Sequence, residues 1–355
     1  MPHNIEQDKE TRKLQITGGS TYIISLPKKW ITRNQLKKGS CLSLKEEEDG
    51  SLSISSYEQT LVEEPEEALI RVSPNDNPDA IIRKAVSAYL VGHNIIHIRA
   101  HDQRQLSSTQ RDALKIFARH LLVGTEIVTD TQNELTLQVL LSYPELSVQS
   151  ALRRMSIITS SMHKDAIAAL KSLDHQLAKS VIETDNEVDR FNLYIIRQLK
   201  MAVGNPRVVK GIGLDNARDC LGYRLVTKSV ERTADHATSI AENVLLLKRH
   251  INEKVSDTIQ KMSATAISMF EAALDSLFKR DFNLAENIIE KTIEIVSLEK
   301  EAVLSSQEIG LEEVANLRLL IESVRRTAEY ASDIAEIVLN LNVESAIEER
   351  PHAKQ

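Results

Sequence analysis

Asp185 and Asp189, in the stretch SVIETDNEVDRFNLYIIRQL, stand four apart where a helix should be apolar. At about 100° per residue Asp189 falls about 40° from Asp185, and Val181, Val188, Ile196 and Leu199 fall within about 60°. Two carboxylates therefore interrupt an inward stripe. Burying an unpaired carboxylate costs several kcal/mol, so an inward pair has to be protonated, ion-paired or bound to a cation. A second stretch, SVERTADHATSIAENVLLL, sets Glu231, Asp235 and Glu242 within about 40° of one another beside Val230, Ala234, Ala237, Ala241 and Val244. Two helices presenting D-x-x-x-D and E-x-x-x-D can meet as a nest of four carboxylates, Asp185, Asp189, Glu231 and Asp235. Oxygen-rich nests suit cations such as Fe, Mn, Zn, Mg or Ca, and carboxylate sites between helices occur in bundles.

The helices that must carry this nest are duplicated. Val148 to Glu183 matches Val255 to Glu290 at an offset of 107, pairing Met155 with Met262, Met162 with Met269 and Asp174 with Asp281. Ser229 to Leu247 returns as Ser323 to Leu341 at an offset of 94. The shorter second offset places a longer loop, VGNPRVVKGIG, inside the first copy. Residues 146–342 therefore read as two three-helix units. In the second unit Thr292 and Val296 replace Asp185 and Asp189, while Arg325 and Glu329 replace Glu231 and Asp235. That substitution predicts an apolar stripe there, a guanidinium in the cationic role, and one metal site per chain.

Upstream the pattern changes twice. Residues 10–58 alternate short β-runs with turn signals, and residues 66–143 alternate strands and helices: ALIRV, PDAIIRKAVSAYLVG, NIIHIRA, STQRDALKIFARHLL, GTEIVTD and ELTLQVLLS. The whole is expected to be multidomain: a β-rich head, a small α/β domain and an all-α region. Residues 1–45 carry nine Lys or Arg against three acids, whereas the full chain has a net charge of −7. A basic head thus precedes an acidic body. In the head, Arg12, Lys13, Lys28, Lys29 and Arg33 are the residues expected against phosphates, the sequence-independent part of nucleic-acid affinity. Trp30 is expected in the core.

Other chemistry is not indicated. His93, His97 and His101 share a face but only part of it lies on the expected strand. No two E-x-x-H motifs mark a di-iron oxidase, and no G-x-x-x-x-G-K-[ST] loop and no Ser/His/Asp or Cys/His set declares itself, so no catalysis is expected. Cys41 and Cys220 have no partner at disulfide or metal-ligand spacing. MPHNIEQDKE lacks the apolar core of a signal peptide and no apolar run reaches the ~20 residues of a membrane helix, so a cytoplasmic protein without membrane insertion is expected.

DNEVD (185–189) and VERTADHATSIAE (230–242), set in a duplicated three-helix unit, resemble the PhoU family of phosphate-uptake regulators. The resemblance implies two three-helix bundles, [ED]-x-x-x-D motifs that hold metal clusters in some members, and work with the phosphate ABC transporter, its ATPase, or a sensor kinase. This sequence departs from the pattern at Thr292, Val296, Arg325 and Glu329. The head, through S-x-x-I-S-L-P-K-K-W and the L-K-K-G turn, resembles the AbrB/SpoVT swapped-hairpin fold, which implies an interlocked homodimer and DNA binding. The chain as a whole is similar to archaeal-type fusions of the two modules. The resemblance thus implies a DNA-binding regulator of phosphate uptake with a metal-binding helical module. The alternative is an adaptor that dimerises through its head and inhibits the transporter or kinase without touching DNA.

Overall fold

The computed structural model describes residues 10–46, 50–56, 66–101, 105–140, 145–305 and 311–343. The chain divides into two compact units, residues 1–65 and 66–355.

The first unit holds two antiparallel hairpins, β1 (Gln15–Thr17) with β2 (Thr21–Ile23) and β3 (Leu42–Glu46) with β4 (Leu52–Ser56). Gly18 and Gly19, with φ of 62° and 88°, turn the first; positive φ is costly for any side chain with a Cβ. Between the hairpins lies a short helix, α1 (Lys28–Arg33), so KKWITR is helical rather than another β-run. Pro27 stands at its N-cap, and Trp30 is half-buried.

In the second unit a four-stranded sheet has the order β5-β6-β8-β7. Strand β5 (Glu67–Val72) is followed by α2 (Pro78–Val91) and the parallel strand β6 (Ile95–Ala100); α3 (Ser108–Leu121) then leads into the hairpin of β7 (Thr125–Asp130) and β8 (Glu134–Val139). Caps set these helices: Asn77 accepts from the Asp79 amide at the start of α2, and Ser107 forms a capping box with Gln110 on α3. Gly92, φ 123°, ends α2.

The helical region consists of α4 (Val148–Ser172), α5 (His175–Gly204), α6 (Pro206–Gly211), α7 (Asp219–Leu246), α8 (Glu253–Lys279), α9 (Phe282–Glu290), α10 (Thr292–Ser305) and α11 (Leu311–Leu341). The duplication is visible at the level of turns. Leu173 and Arg280, 107 apart, both end a helix in the left-handed conformation, and the next residues, Asp174 and Asp281, both cap the following one. Counterparts also meet across the repeats. Lys164 Nζ lies 2.6 Å from Glu271 Oε1, its own match, and the rings of His236 and Tyr330, matched at 94, are 5.7 Å apart. Equivalent residues can touch only near a twofold relation, so the two repeats pack as an internal pseudo-dimer. The repeats share one continuous apolar core.

The α/β core is separate, built from residues such as Ile81, Tyr89, Ile96, Leu114 and Leu137, but Leu193 of α5 packs against it. The junction is locked by Arg197 of α5, which is 2% exposed. Its guanidinium donates to the carbonyls of Tyr89, Gly92 (2.8 Å) and His93 (3.0 Å) and to Asn94 Oδ1 (2.7 Å). It thus fills the electronegative C-terminus of α2 with positive charge, and it lies 4.8 Å from the Tyr89 ring centroid.

Candidate metal centre and nucleic-acid interface

Helices α5 and α7 pack against each other and bring the four predicted carboxylates into mutual range. Asp185, Asp189 and Glu231 are half-buried, while Asp235 and Glu242 keep a face in solvent. The carboxyl of Asp185 is pushed up to about 6, first by burial and then by the charges of Asp189 and Glu231. Burial and Glu231 also raise Asp189, with Lys228 opposing. Asp235 rises to about 7 through desolvation of its inner side, Glu231 and Asp185; water at its open face screens part of this, so the direction carries the argument. The Thr238 hydroxyl beside Asp185 lowers its pKa in part, although its approach falls outside regular hydrogen-bond geometry. One cation attends the nest: Lys228 Nζ donates to Glu231 at 2.5 Å. Among the described residues no three His, Cys, Asp or Glu side chains stand at the spacing needed to hold a metal ion together. The set fits a hard cation by chemistry, being all oxygen donors under mutual repulsion, and in the present side-chain positions that repulsion is unrelieved.

The second repeat solves the same problem differently. The i, i+3 pair Lys228–Glu231 becomes Glu322–Arg325, the same ion pair with its signs exchanged. Arg325 also reaches Glu299 of α10 at 3.2 Å and pairs with Glu329. A guanidinium therefore does occupy the cationic position among three carboxylates. The expected apolar stripe does not run through Val296. Val296 is 58% exposed: the buried stripe of α9 and α10, Ala285, Ile288, Ile295 and Ala302, repeats Ala178, Val181, Val188 and Ile195 of α5, and Val296, like Asp189, stands at its edge. Thr292, at the start of α10, is half-buried with an unbonded hydroxyl. Glu299 escaped the sequence reading because it matches Asn192, so the repeat comparison has no carboxylate to pair it with.

The histidines do not form a cluster. His97 lies between Glu134 (2.8 Å) and Glu67 (3.5 Å), and His93 is 3.9 Å from Glu66. His163, unremarked in the sequence, is fully buried between the repeats, 2.8 Å from Ser263 Oγ and 3.4 Å from Thr327 Oγ1. Burial pushes its pKa down to about 4, so it is neutral.

In the first unit Arg12, Lys13, Lys28, Lys29 and Arg33 are all exposed. Lys28, Lys29 and Arg33 lie on the single short helix α1, and Arg12, before β1, pairs with Glu10. This unit buries almost none of its apolar side chains by itself: Leu14, Ile16, Tyr22, Leu44 and Leu52 are each 59–65% exposed.

A tandem of three-helix bundles with paired carboxylates on facing helices, preceded in sequence by a basic two-hairpin unit, matches a class whose relatives are described as accessory proteins of a transport system. The PhoU domain matches residues 152–244 and again 259–338, and the family of antidote-toxin recognition MazE, bacterial antitoxin, matches residues 15–60. The chain belongs to the PhoU-domain proteins and carries a MazE/AbrB-like unit at its N-terminal end. It is similar to the phosphate-specific transport system accessory protein PhoU homolog of Borreliella burgdorferi, 26% identical over 193 residues that make up 50% of this chain and 84% of that protein. A PhoU homolog of the same description from Caulobacter vibrioides is 32% identical over 100 residues, 28% of this chain and 40% of that one. The crystal structure of PhoU from Pseudomonas aeruginosa shares the fold, with a TM-score of 0.50 and 21% identity over 56% of this chain and 96% of that one.

Proposed function

We propose that this chain is a cytoplasmic DNA-binding regulator of phosphate uptake, whose N-terminal unit dimerises and holds DNA while the PhoU domains sense a metal or engage a transporter ATPase or sensor kinase. The observation that carries it is the joining of a MazE-type unit, with five exposed basic residues, to two PhoU domains. Among the described residues no helix is long and apolar enough to cross a membrane, which is compatible with that location. The exposed apolar residues of the first unit support dimerisation, since a unit of about forty residues lacks a sufficient core and strand exchange would cover them. The test is binding to fragments selected from genomic DNA. Affinity is expected to fall with salt at a log-log slope of about −0.9 per phosphate neutralised, and Lys28→Ala, Lys29→Ala or Arg33→Ala to reduce that slope by about one each. Absence of binding at low salt would remove the DNA reading. It would leave the adaptor, which the same exposed apolar residues also support, to be tested by co-purification with the transporter ATPase or kinase.

For the helical region the reading is one Fe, Mn, Zn or Mg ion held by Asp185, Asp189, Glu231 and Asp235. When bound, the ion supplies positive charge that offsets their repulsion, and the side chains hold it by turning inward from α5 and α7. Binding adds stability of RT ln(1 + [L]/Kd), about 2.7 kcal/mol at a hundredfold excess over Kd. Asp189→Ala with Asp235→Ala should abolish metal-dependent thermal stabilisation, and Glu290→Ala with Glu329→Ala should leave it intact. Equal loss in both double variants, or metal in the second repeat by elemental analysis and anomalous scattering, would refute the one-site reading.

A further inference from the structure

Helices α2 and α3 cover one side of the sheet of the α/β region. Ile70 and Val72, Ile96 and Ile98, and Leu135 and Leu137 turn toward α2 and α3 and belong to the core there. Within the second unit the intervening residues form the opposite face, on which Leu69 is 47% exposed and His97 half-buried, while Thr136, bonded to the side chains of His97 and Glu134, is 3% exposed.

This face is graded in charge along the strands. At one end stand Glu67 of β5, Gln138 of β8 and Glu126 of β7, joined through Ile95. The middle row, in register, is Leu69, His97 and Thr136, and the far row is Arg71, Arg99 and Glu134. Arg99 and His97 both pair with Glu134, so Arg71 is the cation of that row left facing outward on β5.

We propose that this face pairs with the same face of a second copy of the chain, about a twofold axis running across the strands through the Leu69–His97–Thr136 row. That axis exchanges the two ends. Glu67 meets the partner's Arg71, Gln138 meets the partner's Glu134, and Leu69 meets the partner's Leu69, as an isologous contact requires. An axis parallel to the strands would instead lay acidic row on acidic row, and directly opposed like charges are unfavourable. The charge gradient therefore selects both the occupant, a second copy, and its orientation. Strands ~4.8 Å apart and six residues long at ~3.3 Å each give a face of roughly 400 Å², about half of the ~800 Å² per partner in a standard interface. A contact of that size forms at the millimolar local concentration of chains already joined elsewhere. In that respect it rests on the dimeric N-terminal unit proposed above.

The test uses the full chain with Cys41→Ser and Cys220→Ala, which removes both native thiols. Leu69→Cys is compared under mild oxidation with Ile116→Cys, which is 61% exposed on α3. Leu69→Cys is expected to give a disulfide-linked dimer about tenfold faster, Glu67→Arg to slow it about tenfold, and Glu67→Arg with Arg71→Glu to restore it. Equal rates at the two cysteines, failure of the double charge exchange to restore linkage, or linkage in cells to a different protein would each overturn the proposal. Sedimentation of the same samples reads the N-terminal contact separately. A dimer without Leu69→Cys linkage overturns the sheet contact alone. A monomer overturns the N-terminal contact, and linkage is then scored at millimolar chain, where its absence overturns the sheet contact as well.

Discussion

Asp185→Asn separates charge repulsion from packing at the carboxylate nest, because it removes one charge and keeps the side chain's size. In the folded protein the Asp185 pKa is about 6, against a reference of 3.8, through burial and the charges of Asp189 and Glu231. Below about pH 3 the group is protonated in both folded and unfolded chains and costs nothing. As pH rises from 4 through 6 the unfolded chain releases its proton first, so folded stability is lost over that window, and the full loss stands above it. Two units correspond to about 3 kcal/mol, which solvent screening at this half-buried position reduces to about 1–2 kcal/mol. For a protein of this size that is a shift of about 1–3 °C in Tm. With chelator present, Asp185→Asn should melt about 1–3 °C higher than the parent at pH 8 and at the same temperature near pH 3, as read by circular dichroism. Metal should act in the opposite sense. It needs ionised carboxylates, so its stabilisation of the parent should grow between pH 5 and 8 and be smaller in the variant. A variant no more stable than the parent at pH 8 would show that the four carboxylates do not burden the apo fold, and the reason for a cation there would be gone.

Arg197→Met should cost about 2–4 kcal/mol in urea unfolding, because it strands the Tyr89, Gly92 and His93 carbonyls at a buried junction; a loss under 0.5 kcal/mol, within ordinary surface variation, would refute the lock. His163→Gln should flatten the acid limb of the stability curve. With a folded pKa near 4, His163 stays neutral while the unfolded chain gains a proton below pH 6.5, so stability falls between pH 6.5 and 4 by up to about 3 kcal/mol in the parent; unchanged curvature in melts across that window would count against it. Arg325→Ala should destabilise the second repeat by about 1 kcal/mol by taking the cation from Glu299, while Arg326 keeps its pairs with Glu322 and Glu329, measured by thermal melts at low salt.

Periodicity and self-similarity determined a great deal of this protein by themselves. The offsets of 107 and 94 placed both three-helix repeats. The alternation of apolar runs with caps such as Asn77 and Ser107, and with Gly92, placed the α/β elements, because those signals are local to the backbone. The wheel argument likewise set Asp185 and Asp189 at the edge of the α5 stripe, where they are half-buried, and Glu231 and Asp235 beside the stripe of α7, where Glu231 is half-buried and Asp235 exposed. The exposure of Val296 was not visible, because a helical wheel does not say how far round a stripe the neighbouring helix reaches; packing buries Ala285, Ile288, Ile295 and Ala302 and leaves Val296 at the edge. The ion pair of Glu299 with Arg325 on another helix was hidden in the same way. Arg197 and His163 read as ordinary helix residues; only packing put one against the carbonyls of a helix 100 residues away and the other between the repeats. Tertiary structure also decided which face of the β5–β8 sheet lies under α2 and α3, since strand alternation gives two faces and only the path of the helices chooses the one they cover.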